Sequence, residues 1–437
     1  MKSLLERINN KLNDQGGFLK SISILVGGTV FAQAVTVLSL PILTRLYNPS
    51  EFSIFAVYTS LLAVLAAISC LRFEIAIPIA KDEEEAFTLV LLSLISNFFI
   101  NILITAFIFL FYTDIILFLR LESVGSLIWL IPIGVFFSGI YNVFQFWITR
   151  KKQFKIIAKT RMVQSVSGAS VQIVMGILGF AAIGLILGQI VKVSAGVYRL
   201  IREFWFETKS FLKNVSLKKL KAIFEKYDQF PKYSTFEALA NSAGIQLPVI
   251  IIAALSAGPE AGYLMLAMQV MMIPMQFIGN SVSQVYLAHA PEKYQSGVLE
   301  KYTKECILQL LKIGIIPLTV ISILAPIVFP ILFGNDWQRA GDILLWLLPW
   351  FVMQLIVSPV SMSLYILNKQ KQALVLQLIG FFIRIGLVLY ASVSFSDYIL
   401  EIYALSGFIF YTLYFFTVIY FLKKSTKDFS KKEKREV

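Results

Sequence analysis

The sequence has one histidine, His289, and two cysteines, Cys70 and Cys306, set in apolar surroundings without CxxC spacing. The cysteines imply no disulfide framework, and no metal site is expected. Walker, HExxH and GxSxG patterns are absent, which removes the signature of ATP-driven chemistry and of the common metallo- and serine hydrolases. Charge is scarce, at 15% of residues. The longest stretch without a membrane-length apolar run, residues 202–233, is too short and too basic to bury a core of its own, so no separate soluble domain is expected.

What fills the chain is hydrophobic: 57% of residues, with a mean hydropathy of +0.76. Apolar runs of membrane length recur along almost the whole sequence, which predicts an all-α polytopic membrane protein. About twelve spans are placed at 21–44, 52–80, 87–112, 125–148, 160–180, 182–201, 235–256, 261–285, 305–333, 341–365, 372–394 and 398–422. An even number puts both termini on one side. Of the 39 lysines and arginines, 33 fall on that side, three (Arg45, Arg120, Arg339) on the other, and three (Arg72, Lys312, Arg384) inside spans. By the positive-inside rule both termini are expected in the cytoplasm. Topology thus accounts for the net charge of +13, and no nucleic-acid partner is implied. The first apolar run is too long for a signal h-region and lacks a cleavage pattern, so it is read as a span. The basic segment from Lys209 to Tyr227, with lysines between apolar residues at helical spacing, is expected to lie on an anionic inner leaflet.

A long basic loop after the sixth span suggests a duplicated six-span unit. The boundaries are residues 1–201 for the first lobe, 202–234 for the interlobe loop, 235–422 for the second lobe and 423–437 for a basic tail. "LPILTRLYNPSEFSIF" from Leu40 and "LPVIIIAALSAGPEAGY" from Leu247 share a Leu-Pro and a turn with Pro and Glu. Six spans per lobe give both lobes one orientation, and a substrate is expected between them.

A charge at mid-bilayer costs roughly 2.5–3.5 kcal/mol on insertion scales, so each one needs a partner or water. Arg72 sits about 12 Å deep in the second span. Glu74, two residues on, should point to the opposite face of an ideal helix, so the two are not expected to neutralise each other. Pro78 should bend the helix there. Arg384 lies about 20 Å into its span, shares a face with Gln377 and Gly380, and is expected to face a polar interior. Lys312 shares a stripe with Glu305 and Gln309, where a local ion pair is as open as a substrate role.

Gln269, Gln276, Asn280 and Gln284 form the longest polar stripe; Glu237, Asn241, Gly244 and Pro248 form a second, and Thr29, Gln33 and Thr36 a third. These are read as cavity-lining, with helix-to-helix hydrogen bonding as the alternative. Three cations against chiefly Glu74 predict a positive cavity and an anionic ligand, for which a guanidinium fork suits a diphosphate. Glu74 is then the candidate gate or site for a coupling H⁺ or Na⁺. The "KDEEE" run from Lys81 to Glu85 is read as a solvated turn.

The stretches "LPILTRLYNPSEFSIFAVYTSLLAVLAAISCLRFEIAIPIAKDEEEA" from Leu40, "ALSAGPEAGYLMLAMQVMMIPMQFIGNSVSQVYLAHAPE" from Ala254 and "LFGNDWQRAGDILLWLLPW" from Leu332 closely resemble Wzx-type bacterial polysaccharide flippases. These belong to the multidrug, oligosaccharidyl-lipid and polysaccharide (MOP) exporter superfamily, and the resemblance covers nearly the whole chain. It implies a MATE-like fold of two six-helix lobes around a cavity in the bacterial inner membrane. It also implies an undecaprenyl-diphosphate-linked oligosaccharide, such as an O-antigen repeat unit, as substrate. Alternating access coupled to a cation gradient would move it between leaflets, with the pathway's polymerase and chain-length regulator as protein partners and no bound cofactor.

Two other readings stay open: a drug or organic-cation antiporter of the same fold, which would want buried carboxylates, and a non-transporting subunit of a polysaccharide assembly complex, which would not need polar stripes. An enzyme acting on a lipid-linked sugar is disfavoured, because the loops opposite the termini are short and the longest carries only Asp114 and Glu122.

Overall fold

The computed structural model describes residues 18–119, 125–209, 211, 216–256, 258–367 and 369–436, and every regular element among them is helical. In chain order the α-helices are α1 (Phe18–Leu46), α2 (Pro49–Ala66), α3 (Glu83–Leu110), α4 (Tyr112–Leu119), α5 (Leu130–Arg150), α6 (Phe154–Ile177), α7 (Ala181–Ser194), α8 (Val197–Thr208) and α9 (Leu217–Lys226). They continue with α10 (Thr235–Ser256), α11 (Glu260–Pro274), α12 (Asn280–Gln295), α13 (Leu299–Phe333), α14 (Gln338–Val357), α15 (Ser363–Ile366), α16 (Gln370–Ser394) and α17 (Ile399–Glu436). Ten helical stretches are long and apolar enough to cross a bilayer. The other two expected spans fall on α6, whose first half carries Lys155, Lys159 and Arg161, and on α11 with α12. The fold therefore carries the roughly twelve spans that hydropathy predicts.

Local chemistry sets several helix starts. At α2, Asn48 and Glu51 exchange bonds between side chain and backbone N–H at 2.8 and 2.9 Å, with Pro49 in the first helical position. At α3, the Asp82 carboxylate accepts from the Glu85 N–H at 2.8 Å, and Glu83, Glu84 and Glu85 place negative charge on the positive end of the helix dipole.

The chain forms two compact units. One holds residues 1–47 and 58–243, the other 48–57 and 244–437, so the first turns of α2 belong to the second unit. In the first, α1 runs along α6, α6 along α7, and α5 meets α3, α7 and α8. Its core gathers Phe73, Ile77, Phe87, Trp147 and Phe204, with the Phe87 and Phe204 rings stacked at 5.7 Å. In the second, α14 contacts α11, α13 and α17, and α16 lies beside α17. Trp337 is buried there edge-on to Phe52 at 4.8 Å.

Several spans differ from those read by periodicity. The second is α-helical only to Ala66; residues 67–72 turn, and Phe73–Ile79 form a 3₁₀ helix. A proline at 78, which cannot donate to an α-type ladder, sits within that tighter segment. The sixth breaks at Gly196, whose φ of 86° separates α7 from α8. The tenth ends at Val357, where Pro359 begins a 3₁₀ turn. The eighth is interrupted by a π-turn at Met275–Gly279. That wider turn rotates the following residues by roughly one position, about 100°, so Gln269 and Gln276 do not continue in one α-helical face with Asn280 and Gln284.

Candidate functional site

The charged turn between α2 and α3 is the most distorted part of the first unit. Leu71 and Arg72 both have left-handed backbones, φ 50° and 62°, a conformation that costs of order 1 kcal/mol or more at each non-glycine residue. The turn defeats the expected opposite-face geometry: Arg72 Nη1 lies 3.7 Å from Glu74 Oε1. Glu74 is 6% exposed, whereas a third of the Arg72 side chain is open. Pairing is partial, since Arg72 Nε and Glu74 Oε2 are buried without partners among the described residues. The end of the 3₁₀ segment is held by Arg150, whose Nη1 donates to the carbonyls of Ile77, Pro78 and Ala80 at 3.2, 3.3 and 2.8 Å. A partly paired guanidinium on a strained, externally braced turn keeps donors to offer an anion.

The acidic run that follows is a docking strip rather than a solvated turn. Glu83 meets Lys151 at 2.6 Å and Arg150 at 3.4 Å, Glu84 meets Lys219, and the buried Glu85 accepts from Lys226 Nζ and Tyr227 Oη at 2.6 Å each. Lys219 and Lys226 lie on α9, so this helix packs on protein: Leu220 and Ile223 join the first unit's core, and the Phe224 ring sits 5.5 Å from Phe73. This corrects the reading of the basic segment as a helix resting on lipid. Its apolar stripe is short and is satisfied by Phe73 and its neighbours. Burial, and then the Glu85 carboxylate, push the Tyr227 hydroxyl up to about 12.

Two cations assigned to loops lie inside helices. Arg161, seven residues into α6, donates to Thr29 Oγ1 on α1 at 2.8 Å. Lys192, half-buried on α7, lays its stem against Gly168 of α6. Both positions fall inside the spans that periodicity marked out, which was the available signal.

In the second unit Arg384 is 6% exposed. Its guanidinium stands 4.6 Å from the Phe410 ring, 5.5 Å from Trp350 and 6.0 Å from Tyr411, and donates to the Gly244 carbonyl at 3.5 Å. Aromatic rings surround it, not the polar interior its sequence face suggested, because α14 and α17 present Trp350 and Phe410 where glycines at 380 and 407 admit them. Lys312, Glu305 and Gln309 are exposed on α13. Glu237 and Asn241 are exposed on α10, and Gln33, Gln269 and Gln276 are half-buried. The side chains of Asn280 and Gln284 lie outside the described residues, as do Arg120 and Glu122. Among the described residues no group of three or more His, Cys, Asp or Glu side chains could hold a metal ion.

A family model described as "Polysaccharide biosynthesis protein" matches residues 42–342. No curated protein matches the sequence significantly. Among solved structures, an inward-facing multidrug resistance MATE family transporter of the MOP superfamily superposes with a TM-score of 0.67 at 17% identity, covering 90% of this chain and 96% of that one. The lipid II flippase MurJ in an inward closed conformation gives 0.66 at 15% identity, covering 92% and 89%. A MOP superfamily transporter from Pyrococcus furiosus, whose binding pocket is described as reversed in polarity, gives 0.56 at 16%, covering 92% and 96%. At these identities the likeness is one of fold.

Proposed function

The chain belongs to the polysaccharide biosynthesis protein family, and on that premise we propose that it is a flippase for an undecaprenyl-diphosphate-linked oligosaccharide, moving it from the inner to the outer leaflet of the cytoplasmic membrane. Support comes from the fold, which it shares with transporters and with a lipid II flippase. The observation that carries the reading is Arg72, a third exposed, strained in its backbone and only half-paired with a buried carboxylate. A guanidinium with free donors is the side chain best matched to diphosphate oxygens.

The pair also offers a coupling device. A proton or Na⁺ taken by Glu74 neutralises the carboxylate and frees Arg72 for phosphate. A phosphate that takes Arg72 leaves Glu74 uncompensated and so favours a cation on it. The two sites help each other by the same free energy, as linkage requires. The test is export of lipid-linked repeat units in cells carrying Arg72→Ala, Arg72→Lys or Glu74→Gln. Loss of charge-assisted hydrogen bonds to phosphate, about 1.5–3 kcal/mol, predicts a tenfold or larger fall for Arg72→Ala, with Arg72→Lys in between. Full export by a normally accumulating Arg72→Ala protein would end this assignment.

A further inference from the structure

We infer that Arg384 is a positioning residue that stands in for the backbone N–H missing at Pro248 and so pins the proline-interrupted helix α10, a role separate from phosphate binding. Proline lacks an N–H, so Pro248 leaves the carbonyl four residues back, that of Gly244, without its helical donor. Inside a membrane such an orphan costs several kcal/mol unless another group reaches it. Arg384 Nη1 does, at 3.5 Å.

Two further observations fit this role. Phe381, one turn before Arg384, lies against Gly244, where an added Cβ would stand 3.4 Å from the Phe381 ring, so α16 is seated on α10 at the freed carbonyl. The guanidinium is then fixed from its other sides by Phe410 and Trp350, rings that hold a cation without competing for the carbonyl. With 6% of the residue exposed, the charge is committed within the second unit. The bend of α10 is thereby held by a neighbouring helix, and any straightening of α10 must exchange the Arg384 contact for another donor.

The test is a suppressor measurement. Spin labels at Phe236→Cys and Leu255→Cys, both exposed and about 28 Å apart along a straight α10, report its bend in protein with Cys70 and Cys306 changed to serine. The original chain should give one narrow distance distribution and Arg384→Gln a distribution at least twice as broad. Pro248→Ala returns an N–H to Gly244, so adding it to Arg384→Gln should restore the narrow distribution. If Arg384→Gln fails to accumulate, recovery of accumulation in the double variant is the supporting result. An unchanged width in Arg384→Gln, or no recovery of width or accumulation on adding Pro248→Ala, overturns the inference.

Discussion

Arg72 and Glu74 show how a residue's charge and its geometry separate. Both stood out in the sequence as ions in an apolar stretch. Their pairing did not, because helical spacing assumes helical backbone, and two consecutive left-handed residues, Leu71 and Arg72, turn one charge back onto the other. Arg384 was visible for the same reason as Arg72, but its partner is a backbone carbonyl 140 residues earlier, which no side-chain pattern can announce. Gly262 carries a residue-scale prediction about stability. A Cβ there would strike the Pro49 carbonyl and the Ser53 N–H, backbone groups at the start of α2 that cannot move aside cheaply. Gly262→Ala should destabilise the protein by about 1–3 kcal/mol, read as a lower midpoint in thermal unfolding of the purified protein.

Among elements, the contact between α9 and the first turn of α3 is the one that sequence reasoning described least well. Lysines between apolar residues suit a lipid surface and a protein surface equally, and the acids that decide the matter lie 135 and 141 residues away. Glu85 is the stronger anchor, buried and holding two donors. Removing it as Glu85→Ala should cost about 1.5–3 kcal/mol, whereas the exposed Glu84–Lys219 pair contributes only about 0.2–1 kcal/mol and weakens in salt. Placement is testable directly: Glu84→Cys with Lys219→Cys should form a disulfide rapidly under mild oxidation, and the Lys226→Glu change should slow it. Absence of the cross-link in protein that still exports would place α9 elsewhere. The broken second, sixth and eighth spans were marked in advance by Pro78, Gly196 and Pro274. Hydropathy averages over such residues, so it found the spans and missed the interruptions.

For the whole molecule, hydropathy and the distribution of lysine and arginine were enough to predict about twelve helices, since a bilayer admits few other solutions. The same distribution predicts cytoplasmic termini. Reporter fusions should read cytoplasmic at both ends and at residue 228, and outside at the Asn335–Asp336 turn; an outside reading at either terminus would invert the topology. Which residues of α2 join which unit was not readable, because the first ten belong by packing to residues more than 200 positions later.

The central claim is that this fold moves a lipid-linked oligosaccharide and uses Arg72 to hold its phosphate. The most direct measurement is complementation of a strain lacking its own repeat-unit flippase, scoring surface glycan and the lipid-linked units trapped in the inner leaflet. Wild type should restore the glycan and clear the trapped units, while stably inserted Arg72→Ala should leave them trapped. A wild-type chain that exports no repeat unit from a panel of glycans but lowers sensitivity to cationic drugs would contradict the account.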